Sequence, residues 1–372
     1  MDSSTDNDQQ LAKDNELIQA QTHVYNHIFT FISSMSLKCA VQLGIPDIIH
    51  NNHGQPITLS GLVNALSLPP TKTAFVYRLM RILVHSGYFA TQKIDENQEE
   101  EGFLLTSSSR LLLKDSKNTF SSIVLTVVDP VLVTPFFSLS DWFQGINGST
   151  TSFEAAHGMG FWSFLEQHPE YSKTFNDAMA NDSRLMIMSS VIVKEGKEVF
   201  ENLKTLVDVG GGDGTSAKAI AEAFPHLKCL VLDLPHVVAD HLSKSATETS
   251  FTGGATLRPE RVVAPPASSD DDCVKILKRC REAIPLREGG GKVILIEIVM
   301  EDKDYNMKLQ KQEADDDERT ELQLYFDMMM MTTFDGKERN EKEWEKLFIE
   351  SGFSDYKITP VSGFRSLIEV YP

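Results

Sequence analysis

Gly210, Gly212 and Gly214 stand at alternate positions directly after the apolar run Thr205 to Val209, and the helical pattern of Ser216, Ala217, Ala219, Ile220, Ala221 and Ala223 follows them. Strand, tight loop and helix are the reading. Glycines in such a loop permit positive φ and let a ligand lie against bare backbone, so the chemistry is capture of a small molecule without side chains. A dinucleotide fingerprint wants its third small residue at position 215, where Thr215 stands. The G-x-G-x-G spacing fits S-adenosylmethionine better. About twenty residues on, Cys229 to Asp233 reads as a second strand ending in an acid, where such folds place a carboxylate that accepts both ribose hydroxyls. Asp233 is the expected ribose ligand.

Two further groups carry chemistry. Lys292 to Met300 is a buried-strand pattern with Glu297 near its end, and an acid there sits at the ligand edge of an open α/β sheet. Phe175 and Met179 are four apart on one helical face, and flat aromatic molecules are well held between such side chains, although core packing explains the pair as well.

The elements that position these groups follow from the rest of the chain. With 372 residues, 41% of them apolar, two domains with a sizeable core are expected. The first 16 residues are polar and acidic and read as a disordered tail. From Leu17 to Leu43 the pattern is helical, with an apolar face (Ile28, Phe31, Ile32, Met35, Leu37, Ala40, Val41) wider than a surface helix needs. A partner chain is expected to cover part of it. Ile57 to Tyr88 reads as two helices, the first capped by Ser60 and ended by Pro69 and Pro70. Phe89 to Leu113 suggests a hairpin with an acidic tip at Asp95 to Glu101, so the sum is a winged helix. Val131 to Phe200 is mostly helical and aromatic-rich. Glu313 to Arg319 is a charged, solvated run, a Met-rich helix spans Leu322 to Met331, and Tyr356 to Pro360 and Ser366 to Tyr371 are closing strands.

Charge excludes some partners. Lys and Arg total 35 against 53 Asp and Glu, a net charge of -18, which argues against nucleic acid and anionic membrane, and the expected wing tip would face phosphates with acids. Cys39, Cys229, Cys273 and Cys280 show no zinc-type pairing and read as reduced thiols of a cytoplasmic protein. Met1 to Glu16 has no apolar signal region, and no run is long enough to span a bilayer.

With these residues in hand, the chain resembles the plant small-molecule O-methyltransferases that use S-adenosylmethionine, and within them the isoflavone O-methyltransferase group. The resemblance runs from about Ala20 to Pro372 and rests on Val207-Asp208-Val209-Gly210-Gly211-Gly212, Asp233-Leu234-Pro235-His236-Val237, Phe175-Asn176-Asp177-Ala178-Met179, and Gly336-Lys337-Glu338-Arg339 followed by Trp344. It implies an α/β fold: a Rossmann-like methyltransferase domain at 201–372, an N-terminal α-helical winged-helix dimerisation domain at 17–125, and a helical acceptor-pocket region at 126–200, with the acceptor between the domains. It implies a homodimer acting on a small phenol without a metal. It also implies that a histidine takes the phenolic proton, braced by two acids corresponding to Glu297 and Glu338, and that Phe175, Met179 and Met330 wall the acceptor.

The sequence departs from that pattern in one segment, 255–271. Where the family has Gly-Gly-Asp-Met-Phe, then an apolar strand, then Leu-His-(Asp or Asn)-Trp carrying the base, this chain keeps Gly253 and Gly254 but continues Ala255-Thr256-Leu257-Arg258-Pro259. Prolines at 259, 265 and 266 cannot supply ladder donors, so only Arg261 to Ala264 could pair, and weakly. All ten histidines lie at or before His241, and His236 and His241 match no base position. The abrupt change between intact flanks points to an altered exon junction or reading frame, which a transcript read across Phe251 to Cys273 tests. The sequence therefore predicts an O-methyltransferase of isoflavonoid, flavonoid or phenylpropanoid phenols whose turnover is impaired by loss of the histidine. The alternative is a catalytically inactive dimer partner that still binds S-adenosylmethionine. An NAD-dependent oxidoreductase is disfavoured by the glycine spacing, and a transcription regulator by the charge.

Overall fold

The computed structural model describes residues 3–94, 100–116, 119–146, 148–188, 196–212, 214–233, 256–258, 269–301, 314–361 and 363–372. The chain divides into two compact units, Met1–Val128 and Asp129–Pro372.

The first unit opens with α1 (Ser3–Leu43). This helix starts well before Leu17 and takes in residues that composition assigns to a disordered tail. No glycine or proline interrupts it until Gly44, whose left-handed φ of 69° ends it. After α2 (Ile45–His50) come β1 (Ile57–Thr58), α3 (Leu59–Ala65) and α4 (Thr73–His85), the last led in by a 3-10 turn at Pro70–Lys72. The cap of α3 is Thr58 rather than Ser60: its side chain accepts the Gly61 N–H at 2.9 Å, because the chain is still extended at Thr58 and turns helical one residue later. β2 (Phe89–Lys93) and β3 (Glu101–Leu105) form the hairpin, and β1 adds to the free edge of β3 with Ile57 opposite Phe103. The hairpin tip at 95–99 lies outside the described residues. Ile45, Leu62, Val76, Met80, Leu83, Phe89 and Phe103 make one core between helices and wing. α5 (Ser107–Arg110) and α6 (Ser121–Val127) complete the unit.

The second unit begins with α7 (Pro130–Phe137), α8 (Leu139–Phe143), α9 (Ser152–His157), α10 (Phe161–Gln167), α11 (Pro169–Met188) and α12 (Lys197–Phe200). An alternating strand and helix series follows: β4 (Thr205–Val209), α13 (Thr215–Ala223), β5 (Lys228–Leu232), β6 (Thr256–Arg258), α14 (Asp270–Ala283), β7 (Val293–Glu297) and β8 (Val299–Met300). α15 (Ala314–Phe334), β9 (Arg339–Asn340), α16 (Glu341–Glu350), β10 (Asp355–Pro360) and β11 (Ser366–Tyr371) close the chain. The charged run up to Arg319 is thus the first part of the Met-rich helix rather than a separate segment.

The strands fall into two three-stranded sheets. One is parallel with order β4-β5-β6, and the other antiparallel with order β10-β11-β7; a short parallel pair joins β8 to β9. Among the described residues β4 pairs only with β5, and β7 only with β11. Both sheets share a core in which Leu206 of β4 meets Ile294 and Ile296 of β7 through Ala217, Ile220, Val231 and Leu367. Val293 and Leu295 point to the opposite face, packing with Trp344, Phe348, Cys273 and Leu277, as the two-residue strand period requires. Val207, on what composition makes an inner strand, is 43% exposed, while Val231 on β5 is 1% exposed. Among the described residues, no strand pairs with β4 on the side away from β5. β6 itself, at Thr256–Arg258, is a strand the sequence reading did not find; positions 261–264 lie outside the described residues.

Candidate active site

The glycine loop follows from β4. Gly210 donates its N–H to Leu232 O at 2.8 Å, and Gly214 donates to Gly211 O at 2.8 Å, which closes the turn into α13. Gly210, Gly212 and Gly214 take φ of 73°, 56° and 77°, the left-handed values that their alternate spacing suggested. Gly211 is needed for another reason. A Cβ there would stand 2.6 Å from the Asp208 carboxyl carbon and 2.8 Å from a Val231 methyl. That requirement is invisible in spacing alone, since it comes from β5 packing beside the loop. Gly212 donates its N–H to Asp233 Oδ2 at 2.7 Å. The acid at the end of β5 and the loop at the end of β4 are thereby pinned together. Asp213 lies outside the described residues.

The cradle fits a nucleoside-bearing cofactor: a backbone wall free of side chains, the amino end of α13, and a carboxylate at the adjoining strand end. The adenine-flanking pair of the family pattern is replaced by Ala255 and Thr256, and the backbone of Thr256 pairs with Leu230 in the parallel ladder.

Glu297 ends β7, across from Ser366 of β11. β8 and β9 run in parallel with Val299 opposite Arg339, so Glu338, one residue earlier, lies beside the turn that carries Glu297 and Ile298. Glu338 N–H donates to Asp327 Oδ1 of α15 at 2.8 Å, which fixes its backbone. Burial pushes its carboxyl up to about 7, helped by the charges of Glu297 and Asp327 and opposed by Arg339 and Arg365. Burial raises Glu297 as well, against Arg365 and Arg339. Glu297 is hemmed in by protein yet still exposed on one side, so water reaching it moderates that push. Arg339 is 4% exposed, donates twice to Asp270 Oδ1 at 2.7 and 3.0 Å, and lies over the Trp344 ring.

No histidine is among the charges that shift either acid. Of the described histidines in this unit, His157 and His168 bond to the carbonyls of Val131 and Phe164 at 2.9 and 2.8 Å, and His226 packs against Phe224. His236 and His241 lie outside the described residues.

Phe175 is buried and Met179 is 40% exposed on α11. Phe175 meets Phe161 and Trp162 edge-on, at 5.0 and 6.3 Å between ring centroids. Phe334 of α15 completes this cluster, 5.0 Å from Phe161 and 5.8 Å from Trp162. Met330 is half-buried one helical turn before Phe334. Phe334 was not singled out in the sequence; its position four residues after Met330 was the available signal. A separate cavity of about 340 Å³ touches Lys292, Arg287, Lys357, Glu369 and Tyr371 at the opposite, amino end of β7. Two of its cations are already engaged, Lys292 with Glu369 at 2.7 Å and Arg287 with Asp355 at 2.8 Å.

Residues 136–354 match the model of the O-methyltransferase domain, and residues 25–115 that of the O-methyltransferase dimerisation domain. The chain belongs to the O-methyltransferase family. It is 53% identical to trans-resveratrol di-O-methyltransferase of Vitis vinifera, over 96% of this chain and 97% of that one. It is 50% identical to probable O-methyltransferase 3 of Humulus lupulus, over 96% and 94%. Among solved structures, CalO1, a methyltransferase of calicheamicin biosynthesis in its SAH-bound form, superposes with a TM-score of 0.74 over 95% of this chain and 98% of that one, at 19% identity, which speaks for the fold alone. As a family member the chain is an S-adenosylmethionine-dependent O-methyltransferase with a dimerisation domain and a methyltransferase domain.

Proposed function

We propose that this chain methylates a phenolic hydroxyl of a stilbene, flavonoid, isoflavonoid or phenylpropanoid, with turnover lowered because the sequence has no histidine at the family's base position. The observation that carries this is the glycine loop with Gly212 bonded to Asp233 at 2.7 Å, together with the paired acids Glu297 and Glu338, in a chain whose sequence holds no histidine after His241. Gly210, Gly211, Gly212, Gly214 and Asp233 hold the cofactor in this reading, and Phe175, Met179 and Met330 wall the acceptor. When bound, S-adenosylmethionine supplies an electrophilic methyl group on a sulfonium. A phenol of pKa near 10 is ionised in about one molecule in a thousand at pH 7, so without a base the chain methylates only acceptor that arrives as phenolate.

The domain limits proposed are 17–125 for dimerisation, 126–200 for the acceptor helices and 201–372 for the cofactor domain, acting as a cytoplasmic homodimer. The second reading, a partner subunit that binds cofactor but does no chemistry, is favoured by the same missing histidine. Calorimetric titration with S-adenosylhomocysteine, followed by methyl transfer to trans-resveratrol and an isoflavone, tests both. Cofactor binding with slow transfer supports the first reading, and binding with no transfer supports the second. No binding by the folded protein overturns both.

A further inference from the structure

Arg365 stands in the connection from β10 to β11, one residue before Ser366, which lies across from Glu297. Its Nη2 donates to Asp182 Oδ2 of α11 at 2.6 Å, and its Nη1 lies 3.0 Å from Met186 Sδ, one helical turn further on. The guanidinium covers the Phe364 ring at 4.9 Å, and Phe364 stacks on Phe326 of α15. Gln323 of α15, 1% exposed, donates to both Phe364 O and Val299 O. With its two side chains 18% and 26% exposed, the Arg365–Asp182 pair is sheltered, unlike the surface pairs that contribute little. A planar guanidinium suits this work, since its fixed fork of donors can hold an acid while its face stacks on a ring.

The α11 partners extend a pattern already described. Phe175, Met179, Asp182 and Met186 are spaced four, three and four apart, one stripe along the helix about 16 Å long. Its first member, Phe175, belongs to the aromatic cluster, and its last two are held by Arg365. The same cation acts on the acids: Glu338 faces Glu297 from β7, Asp327 from α15, Arg339 from β9 and Arg365 from this connection, and the two arginines oppose the upward push on both glutamates.

We propose that Arg365 is a positioning residue for the methyl acceptor: its pairing with Asp182 holds the α11 stripe in register with the end of β7, so that a phenol lying on Phe175 and Met179 keeps its hydroxyl at Glu297 and Glu338. This role rests on the acceptor class proposed above. The test uses the full-length protein saturated with S-adenosylhomocysteine. trans-Resveratrol is titrated by calorimetry, and the Glu338 carboxyl is followed by infrared absorption from about pH 5 to 9, with E338Q identifying its band. In R365M, resveratrol affinity falls about tenfold or more while S-adenosylhomocysteine affinity stays within about twofold, and Glu338 titrates at higher pH than in the wild type. The exchange D182R/R365D restores the clamp with its charges reversed. It returns resveratrol affinity to within about threefold of wild type but leaves the Glu338 titration displaced upward.

A purely structural role would instead lower both affinities together and leave the exchange unable to separate binding from titration; that result overturns the proposal. So does an R365M protein that binds resveratrol as the wild type does. Wild-type protein that takes S-adenosylhomocysteine but no phenol overturns the acceptor class, and this role with it. The first two failures, seen with a phenol-binding wild type, overturn the role of Arg365 alone.

Discussion

Gly211 and Asp233 show how much of a binding loop is written in spacing and how much in packing. The three alternate glycines announce themselves because left-handed φ is a local demand, and Asp233 because it ends a strand at a fixed remove. The need for glycine at 211 arises only when Asp208 and Val231 close on it. Gly211→Ala should therefore cost about 1–3 kcal/mol of stability and lower S-adenosylhomocysteine affinity at least about tenfold, read by urea unfolding and calorimetry. Asp233→Asn keeps the shape but removes a charge-assisted acceptor, and its affinity should fall about 10–100-fold; unchanged binding would take Asp233 out of the site. Glu338 gives a pH signature. Its carboxyl is raised to about 7 from an ordinary 4.5, so the stability it contributes is full below about 4.5 and is lost as pH rises through 7. Glu338→Gln cannot ionise, so its stability relative to wild type should grow by about 1–3 kcal/mol between pH 5 and 8 in urea titrations. A constant gap would mean that water already solvates the carboxylate.

At the scale of elements, β4 and β7 each have a single strand partner among the described residues, and the segment between them is where apolar strand text gives way to prolines. Regular strands were legible because each carries its own period: β5, β10 and β11 fall within a residue or two of their apolar runs, while the run Lys292 to Met300 is broken at Ile298 into β7 and β8, and α15 begins eight residues before its Met-rich pattern. The early start of α1 was not, because polar residues without glycine or proline suit a helix as well as a tail. Nor was β6, whose Thr-Leu-Arg is too short to show a period and is held by its neighbour Leu230, Val231 and Leu232. Replacing residues 255–271 with a segment of the family pattern, Asp-Met-Phe, an apolar strand and Leu-His-Asp-Trp, should add a strand beside β4, cover Val207 and supply a base. The expected result is a melting temperature several degrees higher, a shift of about 2–4 °C per kcal/mol for a domain of this size. Turnover should rise roughly 10²- to 10⁴-fold, the ordinary worth of a placed general base. In the unaltered chain, transfer should climb nearly tenfold per pH unit toward the phenol pKa, as phenolate supply dictates, whereas the graft should level off near the pKa of its imidazole. A graft that is no faster would show that proton removal does not limit this chain.

For the whole molecule, the feature that asks for a second chain is α1. Leu17, Ile18, Val24, Tyr25, Ile28, Phe29, Phe31, Ile32 and Met35 are all exposed, from 37% to 70%, at helical spacings of three, four and seven that keep them on one face. No helix among the described residues is long and apolar enough to cross a membrane, so this face has no bilayer-spanning explanation. In the proposed homodimer, a second copy meeting this face would remove it from water by the same self-complementary contact on both chains, and the dimerisation-domain match over residues 25–115 includes most of it. Ile28→Asp with Phe31→Asp places two carboxylates on that face, where each would have to be desolvated for the chains to associate. Sedimentation should then give the 41.6 kDa of one chain in place of twice that mass. S-Adenosylhomocysteine affinity should hold, because the glycine loop and Asp233 belong to the second unit and the substitutions to the first. A double variant that still sediments as a dimer would move the interface elsewhere. Mixing the wild-type chain with an active relative decides the remaining question: heterodimers whose rate per active subunit exceeds that of the relative alone would make this chain a partner, and an unchanged rate would leave it a slow enzyme in its own right.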